Sequence, residues 1–103
     1  MRDILVTKVY WTEKSQLRVK EIGDYIAFDS QQAAIKWVDV ILEKEALISA
    51  NPRIGRVVPE FANQNIRELI LKSYRLIYEI KTNKIEVLTI KHCKENIKKN
   101  AVD

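Results

Sequence analysis

The stretch RELILKSYRLIYEIKTNKIEVLTIKH, residues 67–92, decides the fold. It holds three runs rich in Leu, Ile, Val and Tyr, at 67–71, 74–81 and 84–92, separated only by Lys72-Ser73 and by Thr82-Asn83. β-Branched and aromatic residues suit a pleated, half-buried surface, so each run reads as a strand. Connectors this short force antiparallel pairing, because a parallel crossover needs a dozen residues or more. The register of the last hairpin has two solutions. A three-residue loop, Thr82 to Lys84, sets Arg75 opposite Lys91; pairing Lys81 with Glu86 gains a favourable charge pair and sets Arg75 opposite His92.

Upstream lies a break. Three of the chain's four Gly and Pro residues, Pro52, Gly55 and Pro59, fall within residues 52–59, and the segment 52–66 reads as a loop. Before it, Ala34, Trp37, Ile41 and Ile48, joined by Val38, Leu42 and Ala46, recur at three- and four-residue spacing. This is a helix over 31–50, ended at Asn51 because a residue before proline is pushed out of the helical region. A first helix spans 13–28, capped by Thr12, with Leu17, Ile22, Tyr25 and Ile26 on its apolar side and Gly23 weakening its middle. Asp29-Ser30 separates the two helices, which therefore form an antiparallel hairpin. ILVTKVYW, residues 4–11, reads as an opening strand. The order is β-α-α-β-β-β. An α+β fold follows, with the helical hairpin packed on one face of a small twisted, mostly antiparallel sheet and the opposite face left open. Residues 1–103 form one domain, closing on a polar, basic tail at 93–103.

Composition narrows the function. With 47% hydrophobic and 31% charged residues the chain is globular rather than disordered, and no apolar run approaches the ~20 residues of a membrane span. One cysteine and one histidine supply no metal site, and no phosphate- or dinucleotide-binding glycine loop is present, so no cofactor is expected. Cys93 cannot pair within the chain and no signal peptide is visible, which points to the cytoplasm. The net charge of +4 is uneven: residues 1–51 carry −1 and residues 52–103 carry +5.

That excess gathers Arg53, Arg56, Arg67, Lys72, Arg75 and Lys91 around the loop and the strand ends, with Glu60 in the loop and His92 closing the last strand. Guanidinium and ammonium groups match phosphate, and a His or Glu beside them can move protons without a metal. The competing structural reading pairs the strand arginines with cross-strand carboxylates, Glu68 or Glu79. Tyr74 and Tyr78 alternate with Leu76 and Ile80 and belong to core or rim. Cys93 and His92, as strand neighbours, point to opposite faces and cannot easily act together.

DYIAFDSQQAA, PRIGRVVPEF, the pair REL and YRLIYEI, and the terminal VLTIKH, taken in order, resemble the ParE/RelE superfamily of type II toxin–antitoxin toxins, also called plasmid stabilisation proteins. The resemblance spans about residues 5–95. It implies a growth-inhibiting toxin held inactive by an acidic, partly disordered antitoxin. RelE-like members cleave mRNA on the ribosome, and this is the leading expectation; ParE-like members poison DNA gyrase without hydrolytic chemistry. A plain nucleic-acid-binding module is the weakest alternative. On the ribonuclease reading the resemblance assigns Arg75 to the scissile phosphate and Glu60 and His92 to proton transfer; the charge pattern itself adds Arg56, Arg67, Lys72 and Lys91 as residues that bind the target. The chain departs from the ribonucleases after His92, where CKENIKKN holds neither Tyr nor Arg.

Overall fold

The structure, a computed structural model, describes residues 7–94. Residues 4–6 of the expected first strand and all but two residues of the expected basic tail lie outside that range.

Strand β1, Val9–Trp11, leads into helix α1, Glu13–Asp29, and helix α2, Gln31–Ala50. Both helices start on the hydroxyls the sequence offers: Thr12 accepts from the Ser15 amide and Ser30 from the Ala33 amide. The segment expected to be loop is partly regular. A 3₁₀ turn, Pro52–Ile54, precedes a two-residue strand β2, Arg56–Val57, and β3, β4 and β5 then follow as Ile66–Leu71, Tyr74–Ile80 and Ile85–His92. The sheet has five strands in the order β1-β5-β4-β3-β2, antiparallel except where β1 runs parallel to β5. Of the described part of the expected opening strand, Thr7 and Lys8 fall outside β1, and the backbone of Thr7 bonds instead with Ser49 of α2.

The helical hairpin covers one sheet face. Ile22 of α1 and Trp37, Ile41 and Ile48 of α2 pack on Leu71, Leu76, Tyr78, Ile85, Val87 and Ile90. The sequence misassigns part of this interface. Leu17 and Tyr25 on α1, and Val38 and Leu42 on α2, point to solvent. The opposite face is not bare either. Val58 and Phe61 fold over it onto Ile66, Ile77 and Leu88, making a second, smaller core.

The last hairpin follows neither expected register along its whole length. Lys81 and Lys84 bond across a two-residue loop, Thr82-Asn83, and Ile80 pairs with Ile85. Between Ile77 and Tyr78 the register shifts by one, so that Ile77 opposes Thr89 while Tyr78 opposes Val87. Leu88 is the extra residue of a β-bulge. Beyond it Arg75 opposes Lys91, and Tyr74 opposes His92. The Lys81–Glu86 attraction survives as a diagonal contact of 3.7 Å.

The bulge exchanges the faces of β5. Val87 and Ile90, three apart, both enter the helix-side core, and Leu88 packs on the other side. Its backbone is secured from α1: Thr12 approaches the carbonyls of Val87 and Leu88 with Oγ1 at 3.1 and 3.2 Å, and its amide donates to Val87 at 3.2 Å. One side chain thus caps a helix and satisfies a bulge. Replacing it by valine, Thr12→Val, removes both roles with little change of volume, and loss of the cap alone costs about 1 kcal/mol. Urea unfolding should show a drop of that size or somewhat more; an unchanged midpoint contradicts this account of Thr12.

Candidate functional site

On the sheet face away from the helices, β4 presents Arg75 and Ile77 and β3 presents Glu68 and Ile70, because alternate residues share a face. Arg75 is 7% exposed and Glu68 2% exposed. Such groups are buried only when paired. Arg75 Nε donates to Glu68 Oε1 at 2.5 Å, and Arg56 Nε donates to the other Glu68 oxygen. The remaining edge of Arg75 faces Glu60, with NH1 at 3.5 Å and NH2 at 3.3 Å from its two oxygens. Arg56, Glu68, Arg75 and Glu60 therefore form one chain of alternating charge from β2 across the sheet to the loop. The structural reading of the strand arginines, with Glu68 as partner, holds here.

The electrostatics follow from the pairing. Glu60 is held below the usual glutamate range by its bonds to Arg75, against a smaller upward push from burial. Burial works against the charge of Arg75, but the bonds to Glu68 and Glu60 outweigh it and the group stays above its ordinary value.

The other candidates separate. Arg67 is occupied in holding the loop, donating Nε to Gln64 O at 2.9 Å and NH1 to the carbonyls of Gly55 and Arg53 at 2.9 and 3.3 Å. Gly55 lies so close to the sheet that a Cβ there would sit 2.6 Å from Glu68 O and 2.7 Å from Tyr78 Oη, a space only glycine fits. Tyr78 completes this anchor, donating to Pro52 O at 2.6 Å and accepting from Gly55 N at 3.0 Å. Burial pushes its phenol up. Lys72 is exposed at the β3–β4 turn with φ 57, and Lys91 lies opposite Arg75 on β5.

His92 goes to the other face. It opposes Tyr74, whose ring it meets edge-on at 5.3 Å, and Tyr74 in turn packs edge-on against Trp37 of α2. Nδ1 accepts from the Lys94 amide at 3.1 Å, which leaves the proton of the neutral ring on Nε2. With Arg18, Glu21, Ile22, Tyr25 and Tyr74, His92 lines a cleft of about 410 Å³ beside α1. The structure thus brings Glu60 and Arg75 together and sets His92 across the sheet from both. The sequence offers Glu68 as one possible partner of a strand arginine, but not its place as the bridge between Arg56 and Arg75, which depends on the pairing of β2 with β3. No group of residues able to hold a metal occurs among the described residues, and no described helix is long and apolar enough to cross a membrane.

A two-helix hairpin on an open five-stranded sheet, with a buried arginine–glutamate network on the face away from the helices, defines a small α+β protein. Residues 9–97 match the family model for the ParE toxin of type II toxin–antitoxin systems, parDE, and the chain belongs to that family. It is a toxin of a type II toxin–antitoxin system. Among solved structures it is similar to the chromosomal ParDE system of P. aeruginosa, at 22% identity and TM-score 0.68 over 84% of this chain and 96% of that one. It is also similar to the RelBE2 toxin–antitoxin complex of Mycobacterium tuberculosis, at 16% identity and TM-score 0.61 over 89% and 97%. A mutant of E. coli RelE in the free state gives 13% identity and TM-score 0.60 over 86% and 85%. No curated protein matches in sequence.

Two outcomes test the network. Glu68→Gln leaves Arg75 buried without its inner counter-charge, and urea unfolding should show a loss of about 3–5 kcal/mol; a loss below about 1 kcal/mol contradicts the burial argument. Because the Glu60 pKa is lower in the folded than in the unfolded state, its contribution is complete above the unfolded value near 4.5 and is lost as pH falls through the folded one. Stability measured across this acid range should therefore fall less steeply in Glu60→Gln than in the wild type; parallel curves contradict the ion pair.

Proposed function

We propose that this toxin acts as a ParE-like poison of DNA gyrase, through binding alone and without phosphodiester cleavage, and that a cognate antitoxin holds it inactive. The observation that carries the reading is the placement of His92 on the helix face while Glu60 and Arg75 share the opposite face. Ribonuclease chemistry without a metal needs a base and an acid on either side of the phosphate held by the arginine. Glu60 and His92 cannot straddle one phosphate at Arg75 from opposite faces of a sheet. Arg75 is moreover bonded to two carboxylates, which oppose a phosphate on the same guanidinium. Membership of the ParE toxin family points the same way. A binding toxin needs no shifted pKa, and the basic half of the chain then serves as a contact surface for its target.

The antitoxin partner is supported by the surface of the hairpin. Leu17 at 60%, Phe28 at 92%, Ile35 at 62% and Leu42 at 58% exposure are costly to leave in water. The P. aeruginosa and M. tuberculosis structures are named as toxin–antitoxin assemblies. A partly disordered, acidic chain folding along α1 and α2 would cover these residues and be steered by the net positive charge. Both partners would meet in the cytoplasm.

Purified toxin added to a gyrase supercoiling reaction should inhibit it, and the same preparation in a translating extract should leave transcripts intact. Transcript cleavage that disappears in Arg75→Ala, with gyrase unaffected, overturns the proposal in favour of ribosome-dependent mRNA cleavage.

A further inference from the structure

Positive charge is used unevenly along this sheet. Arg56 and Arg75 are engaged with Glu68 and Glu60, and Arg67 donates to the carbonyls of Gln64, Arg53 and Gly55. At the β4–β5 turn Lys81 lies 3.7 Å from both Glu79 and Glu86, and Lys84 lies 3.4 Å from Glu86. The other end of the same two strands has no such balance. There the Cys93 amide donates to Ser73 O at 2.7 Å, which draws the close of β5 against the β3–β4 turn and gathers Lys72, Lys91 and Lys94 at one end of the sheet. Lys72 and Lys94 are exposed and Lys91 is half-buried, and none of the three is paired with a carboxylate among the described residues. Lys72 is also held against its backbone preference. Leu71 pairs with Tyr74 across the turn Lys72-Ser73, and Lys72 takes φ 57, a left-handed conformation that glycine or asparagine adopts more readily. A residue kept in such a conformation points to a role for its side chain outside the fold.

We propose that this end of the sheet, with Lys72 at its tip and Lys91 and Lys94 beside it, is a contact surface for the phosphate backbone of duplex DNA such as gyrase holds. The source of the DNA rests on the proposed action on gyrase; the contact itself rests on the placement of the lysines. Arg75 takes no part, because its guanidinium stays with Glu68 and Glu60. The residue types select DNA over an acidic protein. Lysine is depleted in protein–protein interfaces, whereas its ammonium acts as a point charge on phosphate and each such contact releases a counterion. The exposed residues of the tip, Lys72, Ser73, Cys93 and Lys94, include no large apolar side chain to anchor a protein partner. Most of the large apolar residues left in water, Leu17, Tyr25, Phe28, Ile35, Val38 and Leu42 among them, lie instead on the helical hairpin. The hairpin and the lysine end are thus separate surfaces of different chemistry. Contacts to phosphate alone position a protein on DNA without reading its sequence, so the surface is indifferent to base order.

The toxin is titrated into a short fluorescent DNA duplex over a range of salt concentrations. Beside it stand Lys72→Asn, the triple variant Lys72→Asn/Lys91→Gln/Lys94→Gln, and Lys81→Gln/Lys84→Gln as the control at the opposite end of the strands. Asparagine tolerates the left-handed turn, so Lys72→Asn should keep or raise the urea midpoint while it loses affinity for the duplex. The slope of log K against log salt should shrink by about 1 in Lys72→Asn and by about 2–3 in the triple variant, and should stay near the wild-type value in the control. Absence of salt-dependent binding by the wild type overturns the surface, as does an equal loss in the control and the triple variant. Tighter binding of a single-stranded RNA of the same length, or of a polyglutamate peptide, overturns the assignment to DNA. In the supercoiling reaction Lys72→Asn should inhibit less than the wild type. Equal inhibition by both overturns this surface and leaves the action on gyrase standing; no inhibition by the wild type overturns the action on gyrase, and the duplex titration alone then decides the contact.

Discussion

One extra residue in β5 sets what each face of this protein can do. Leu88 has no partner on β4, and the ladder resumes on either side of it one residue out of step. Because side chains alternate along a strand, that single insertion carries every residue beyond it to the opposite face. Ile90 therefore joins the core under the helices, and His92 rests on Tyr74 in the cleft beside the middle of α1 instead of beside Arg75. Thr12 holds the bulge in place from the start of α1, so the helical hairpin and the sheet register depend on the same hydroxyl.

The face left to Arg75 is organised by charge. A buried glutamate bridges two arginines, one enclosed and one exposed, and a loop glutamate closes the outer side. A buried pair of this kind contributes little net stability against an apolar replacement, but breaking it is expensive. Its consequence here is positional. It ties β2, β3, β4 and the Val58–Phe61 segment together, and it keeps the best phosphate ligand of the sheet engaged with carboxylates. Arg67, Gly55 and Tyr78 anchor the other end of the same loop, so several residues that resemble a nucleic-acid contact surface in sequence serve the fold.

Much of the architecture was legible because it rests on local signals. Thr12, Ser30 and Asn51-Pro52 mark the helix ends to within a residue, and Lys72-Ser73 and Thr82-Asn83 mark the turns, since capping and turn chemistry involve near neighbours. The family resemblance came from the same stretches. What could not be read depends on distant partners. The β2 strand is two residues long and exists only through Glu68 and Arg67 on β3. Leu17 and Tyr25 fit the apolar side of α1 by spacing, yet the sheet selects the face bearing Ile22 and Ile26. The bulge gives no local sign, because Val87, Leu88 and Thr89 are all good strand residues. The sequence allows Arg75 to oppose Lys91 or His92, and in the structure it opposes Lys91. The answer lay in an inserted residue that changes the register partway along the hairpin.

The central claim is that the bulge places His92 on the helix side, away from Glu60 and Arg75. Nuclear Overhauser contacts of the His92 ring protons test it directly. The account predicts cross-peaks to the Tyr74 ring. Cross-peaks to Arg75 or Glu60 in their place would contradict it and would restore an acid–base pair around the arginine.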